Sequence, residues 1–150
     1  MSRLIEAYLA QTELEKAAHL AEAVDLDGLP ERYLAEVEHP AEAYERADVL
    51  LADVDGEPAG VAVLQHRTAT HEIKRVWVDP RARGRRVGSA LIDALVGQRD
   101  KPVRLTVWSW RDEAMRLYQS RGFVPVASWE NRPGLVCMEL PAVDADGSSR

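Results

Sequence analysis

The sequence predicts a three-layer α/β domain built on a mixed sheet. Three observations carry that prediction. β-branched and aromatic runs alternate with segments of helical periodicity, Asp55-Gly56 separates two apolar runs, and the chain closes on two more extended runs, FVPVASW and LVCMEL. The 150 residues suit one domain with a sizeable core, expected over residues 1–140. The polar stretch PAVDADGSSR, residues 141–150, is expected to be a disordered tail.

Each element follows from local chemistry. Residues 3–22 place Leu4, Ile5, Tyr8 and Leu9, then Leu14, Ala17, Ala18 and Ala21, at helical spacing with acids on the other faces. GLPERYLAEVEHP has Pro30 at a helix start and Pro40 beyond its end, with Tyr33, Leu34 and Val37 on one face. DVLLADVDGEPAGVAVLQH reads as two strands, because Asp-Gly accepts the positive φ that a tight hairpin turn requires. HEIKRVWVDP reads as a third strand, and residues 87–99, with Val87, Leu91, Ala94 and Leu95 in phase, as a helix. PVRLTVW is another strand. Ser109 and Asp112 suggest a capping box for a helix running to Arg121, which Gly122 stops.

Composition narrows the function. The net charge of -6 is unevenly spread: residues 1–57 hold 15 acids against 4 bases, and residues 58–150 hold 10 against 15. No 18-residue apolar run exists and the first twenty residues are too acidic for a signal peptide, so a cytoplasmic protein without a membrane partner is expected. Cys137 has no second cysteine to pair with and reads as a small buried hydrophobe. No metal is expected, since HExxH and comparable ligand spacings are absent. The GxSxG elbow of serine hydrolases is absent too.

One stretch departs from generic globular sequence. VDPRARGRRVGSAL, residues 78–91, puts Arg81, Arg83, Arg85 and Arg86 among glycines where a strand passes into a helix. The first N–H groups of a helix lack intrahelical acceptors and carry the positive end of its dipole, so this junction is a seat for anions. Glycine lets the backbone approach a ligand, and arginine adds charge. GxxxxGK[ST] and GxGxxG are both absent, which removes most support for nucleoside triphosphates and dinucleotides. Extended nucleic-acid contact is disfavoured by the acidic helices, so no nucleic-acid partner is expected.

VWVDPRARGRRVGSALIDAL, followed after VRLTVW by EAMRLYQSRGF, resembles the GNAT superfamily of acyl-CoA-dependent N-acetyltransferases over about residues 48–140. The resemblance implies a three-layer α/β/α fold with a central mixed, mostly antiparallel sheet. It also implies an acetyl-CoA cosubstrate and a primary amine acceptor on a small molecule or peptide. In the family the phosphate loop reads R/Q-x-x-G-x-G/A. Arg83 takes the first position and Gly88 the last, with Gly84, Arg85 and Val87 between them and Ser89 just after. Arg86 stands where the middle glycine is usual, and a Cβ there calls for a negative φ. Arg111 occupies the place of a cofactor-contacting Asn, and the usual first strand is missing. The pantetheine arm is expected along Val76, Trp77 and Val78, whose main chain would also supply the oxyanion donor.

Acetyl transfer from a thioester needs a neutral amine, an oxyanion donor and a proton for the leaving thiolate. Tyr118 matches the family tyrosine and is the candidate acid, although a core tyrosine packed with Leu117 and Ala114 fits the same position. Glu72 is the candidate base; regular alternation would place it on the face of Lys74, Val76 and Val78, and Lys74 offers it an ion pair instead. Trp77 falls on the opposite face, as core or substrate wall. His66 and His71 are reserve bases or exposed loop histidines, while His19 and His39 show no partner in the sequence. The acidic N-terminal helices predict a cationic acceptor. A CoA-binding sensor of the same fold without turnover is the alternative that Arg86 and Arg111 favour, and the resemblance allows a homodimer.

Overall fold

The computed structural model describes residues 1–20, 31–97, 99–130 and 132–143. Helix α1 (Ser2–Leu20) buries Leu4, Ile5 and Leu9 along one stripe; residues 21 and 22 of its expected span lie outside the described ones. Helix α2 (Glu31–Glu38) stops before Pro40, as expected. Pro40 then opens a further short helix, α3 (Pro40–Ala43), where its missing N–H leaves nothing unsatisfied. Among the described residues the first strand is β1 (Ala47–Val54).

Strand β1 pairs antiparallel with β2 (Glu57–His66) through Asp55 and Gly56, whose φ angles of 54° and 83° are the two positive values of a type I′ turn. β2 is buried on both faces. Val61 and Val63 join the α1 cluster, while Ala62 and Leu64 pack on the other side. Helix α4 (Val87–Val96) crosses that other side closely: a Cβ at Gly60 would lie 2.9 Å from Val87 Cγ1 and 3.0 Å from Leu91 Cδ1. α4 ends at Val96, three residues short of the predicted limit.

Strand β3 (His71–Val78), β4 (Val103–Trp108), β5 (Val124–Pro125) and β6 (Leu135–Leu140) complete a six-stranded sheet in the order β1-β2-β3-β4-β6-β5. Every neighbouring pair is antiparallel except β3 and β4. Helix α5 (Asp112–Ser120) lies with α4, since Ile92, Val96 and Tyr118 share one cluster with Val103, Leu105, Phe123 and Met138. Helices α1 and α2 cover the opposite face through Tyr8, Tyr33 and Val37. The result is the three-layer α/β/α arrangement with a mixed, mostly antiparallel sheet.

Two local expectations are corrected. Ser109 does not cap α5: its N–H donates to the Gly134 carbonyl (2.8 Å), and the N-cap is Arg111, without a side-chain cap bond. FVPVASW forms only a two-residue strand. Pro125 has no N–H to continue a ladder, and one further bond, Val126 N–H to the Cys137 carbonyl (2.9 Å), ends the pairing at the sheet edge. Gly122 does stop α5. With φ +95°, it donates to Gln119 while Phe123 donates to Tyr118, the paired bonds of a Schellman motif. Beyond β6 the chain stays packed through Val143, Ala142 being 1% exposed and the Pro141 carbonyl accepting from Arg99. Residues 144–150 of the expected tail lie outside the described ones.

Candidate active site

The site grows out of the parallel pair. β3 and β4 are in register only at His71↔Val103 and Glu72↔Arg104; beyond these the ladder stops and the strands part. A cavity of about 910 Å³ fills the opening, lined by both strands, the arginine turn, α5 and the middle of α1. α1 and α5 lie on opposite faces of the sheet, yet they meet across this gap. Arg111 Nη2 donates to Thr12 Oγ1 (2.8 Å) and Glu15 Oε2 (2.5 Å).

A β-bulge bends β3. Val61 faces Trp77 and Val63 faces Lys74, so two residues, Arg75 and Val76, oppose Ala62 alone, and Arg75 takes φ +57°. The extra residue changes which side chains share a face. Glu72 and Lys74 lie with Trp77 on the α1 side, whereas Val76 and Val78 pack with Ala62 and Leu91 on the α4 side. The expectation that Glu72 shares a face with Val76 and Val78 is therefore wrong, because it assumed unbroken alternation.

The arginine turn is held at its start by Asp79. Its carboxylate accepts from Arg81 N–H (3.0 Å), the Arg81 guanidinium (3.3 Å) and Arg3 (3.0 Å). The side-chain and backbone bonds from Arg81, then the bond from Arg3, hold its pKa well below the usual carboxylate range. Gly84 has φ +82°, and Arg86, the N-cap of α4, has φ +61° without a side-chain cap bond. The negative φ expected for Arg86 is not adopted. The arginine keeps a glycine-like backbone at a cost of about 1–2 kcal/mol. Ala90 N–H makes the first bond back to Arg86, so the N–H groups of Val87, Gly88 and Ser89 have no intrahelical acceptor.

The candidate contacts divide. Val76, Trp77, Val78, Arg83, Gly84, Arg86, Val87, Gly88 and Ser89 all line the cavity, as do Arg111, Tyr118 and Glu72. Arg85 does not; it pairs with Asp55 in the hairpin turn (3.3 Å). Arg83 lies over the Trp77 ring (4.8 Å to its centroid) and donates to the Val78 carbonyl (3.2 Å). Trp77 is both core and cavity wall, edge-on to Tyr8.

Tyr118 is 7% exposed, lines the cavity and packs edge-on against Phe123. Burial pushes its phenol well above the ordinary tyrosine value, Tyr8 adding to the shift and Arg111 opposing it, so the hydroxyl keeps its proton at neutral pH. Glu72 accepts from Arg67 Nε (3.0 Å), with Lys74 Nζ 3.9 Å from its other oxygen. His66 and His71 lie outside the cavity lining. Their Nδ1 atoms are 3.0 Å apart, and their Nε2 atoms meet Asp48 (3.0 Å) and Asp100 (2.8 Å). Neither is an exposed loop histidine without partners. His19 stacks on Trp110, which stacks on Trp108, giving an aromatic wall that sequence spacing did not reveal.

Sequence reading also missed the partners of the bulge residue Arg75. Arg75 makes a bidentate ion pair with Glu36 of α2 (2.7 and 2.8 Å), and the Tyr44 hydroxyl donates to Glu36 as well. Burial alone would raise the Glu36 pKa, but the bonds from Arg75 and Tyr44 outweigh it and hold the carboxyl below its ordinary value. Among the described residues no group of three or more His, Cys, Asp or Glu converges as metal ligands would, and no helix is long and apolar enough to cross a membrane.

A parted parallel strand pair, an arginine–glycine turn at a helix start and a cavity between them define an α/β/α protein with an anion seat opening onto a cleft in its sheet. The family model described as an acetyltransferase (GNAT) domain matches residues 45–125, and the chain belongs to that family. No curated protein matches the sequence. Among solved structures, the chain is similar in fold to the ribosomal-protein-alanine N-acetyltransferase of Brucella melitensis, at 18% identity and TM-score 0.61, covering 93% of this chain and 95% of that one. It is similar also to Ard1 of Thermoplasma volcanium, at 24% identity and TM-score 0.60, covering 96% and 95%. A third is the N-acetyltransferase PseH of Campylobacter jejuni in complex with acetyl coenzyme A, at 17% identity and TM-score 0.55, covering 73% and 77%.

Proposed function

We propose that this protein moves an acetyl group from acetyl-CoA to a primary amine of a small molecule or peptide by direct attack. The observation that carries the reading is the single cavity joining the free amides at the start of α4 to Tyr118 through the gap between β3 and β4. The diphosphate of the cosubstrate would take the amides and guanidiniums between Arg83 and Ser89, and the pantetheine arm would lie along Val76, Trp77 and Val78.

The residues then divide the chemistry. The amine nitrogen forms its bond to the thioester carbonyl carbon, and main-chain N–H groups of the bulged segment take the developing oxyanion. As the C–S bond breaks, Tyr118 gives its proton to the thiolate, and Glu72 takes the ammonium proton directly or through a water. The excess of acids in residues 1–57, which border the cavity through Tyr8, Glu15 and Tyr33, favours a cationic acceptor. A cytoplasmic setting and a homodimer belong to the same proposal.

A sensor without turnover has one observation in its favour: Arg111 is committed to Thr12 and Glu15. Thiol release from acetyl-CoA, measured with agmatine, spermidine, tyramine and a tripeptide bearing a free alanine N-terminus, separates the readings. Turnover with an amine, lost in Tyr118→Phe, supports the enzyme. Stabilisation by acetyl-CoA with no thiol release from either form supports the sensor, and a clear preference for acidic acceptors overturns the cationic class.

A further inference from the structure

The catalytic reading above leaves one feature of β3 unexplained. Arg75 is neither glycine nor asparagine, yet it holds φ +57° in the middle of a strand, a conformation its own Cβ opposes. Such a conformation persists only where the surroundings over-determine it. Here the surroundings are specific. The Arg75 and Glu36 side chains are each 19% exposed and joined by two short parallel hydrogen bonds, the arrangement that fixes a guanidinium in both distance and plane. The guanidinium carbon lies 5.7 Å from the ring centroids of Tyr8 and of Tyr33, so α1 and α2 both contribute aromatic faces. Tyr44, itself buried, donates to the same Glu36 oxygen that receives Arg75 Nε. None of these groups except Arg75, Tyr8 and Tyr33 lines the cavity.

The geometry points to a positioning role for Glu36: gripping Arg75 from α2, and seated by Tyr44, it holds the β3 bulge so that the amides of Val76 and Val78 present to the reacting carbonyl. Breaking the grip lets residue 75 relax to negative φ and reorients the amides that follow it. The consequence reaches further than the oxyanion. α2 borders the acceptor side of the cavity through Tyr33, so a displacement of this helix by an acceptor is transmitted to the donors that the reaction needs. This inference rests on the acetyltransferase reading for its catalytic consequence, while the grip itself is testable without it.

Four variants test it: Glu36→Gln, Tyr44→Phe, Arg75→Ala and Arg75→Gly. Amide hydrogen exchange followed by NMR in the free protein is the readout independent of activity. Glu36→Gln is expected to speed exchange at the Trp77 amide, which faces β2, by roughly tenfold, with the amides of the β4–β6 ladder unchanged. With the fastest amine of the panel, Arg75→Ala is expected to lower kcat by roughly 10²-fold at an almost unaltered KM for acetyl-CoA. Arg75→Gly is expected to recover part of that loss, since glycine takes positive φ without strain. Equal losses in the Ala and Gly variants, or exchange at the Trp77 amide unchanged in both Glu36→Gln and Tyr44→Phe, overturn the inference. If no amine turns over in the wild type while the exchange pattern appears as expected, the acetyltransferase reading fails and the grip stands.

Discussion

β4 meets its two neighbours in contrasting ways. With β6 it keeps six consecutive antiparallel pairs, Val103↔Leu140 through Trp108↔Leu135, and its inward residues Val103, Leu105 and Val107 disappear into the core. With β3 it keeps two parallel pairs and then lets go. One strand thus serves a closed ladder on one edge and an open one on the other. The closed edge supplies stability by burying side chains. The open edge leaves main-chain groups and a cavity for chemistry, and it is held by ion pairs and aromatic contacts from α1 and α2 rather than by a ladder.

Breaking each side in turn sharpens the contrast. The largest effect is expected on the closed side, where Phe123, 1% exposed, fills the core between α5 and the sheet. Phe123→Ala should cost about 3–5 kcal/mol in chemical denaturation through the cavity it leaves. Next comes Tyr118→Phe, which removes one oxygen from the open side: kcat is expected to fall about 10²-fold while the denaturation midpoint hardly moves. A large loss of stability with unaltered kcat would instead make Tyr118 a core residue.

A smaller change is expected at the turn. Arg86→Gly relieves the left-handed strain and should stabilise the protein by about 1 kcal/mol in the same measurement. The smallest concerns pH. Asp79 has a folded pKa below its unfolded value, so its contribution is fully present above the unfolded carboxylate pKa of about 3.9 and is lost as pH falls towards the folded one. The melting temperature of Asp79→Asn should therefore trail the wild type at pH 7, and the difference should shrink as the pH drops below about 4.

Features marked by local chemistry were the legible ones. Asp55-Gly56 and Gly122 are residues chosen for positive φ, and the structure uses both that way. Helical and strand periodicity placed α1, β2, β4 and β6 to within a few residues. The arginine turn was legible because its glycines and charges follow one another in sequence. The bulge was not, because Arg75 carries no local mark of its conformation; the cause lies in Glu36 and Tyr44, 39 and 31 residues earlier in the chain. The same limit hid the α5 cap. Ser109 has the right chemistry, but its N–H is committed to Gly134 from a distant loop.

The Schellman closure of α5 has a bearing on how the enzyme can drift. The carbonyl that receives both Phe123 N–H and Arg121 N–H belongs to Tyr118, so the last backbone fastening of the helix and the phenol issue from one residue. Gly122 sits where any Cβ would come within 3.1 Å of Leu140 Cδ1 on the final strand. A side chain introduced there would have to hold φ +95° and press on Leu140 at the very point where the chain fastens the Tyr118 carbonyl, so a change at this glycine reaches the cavity wall through the backbone.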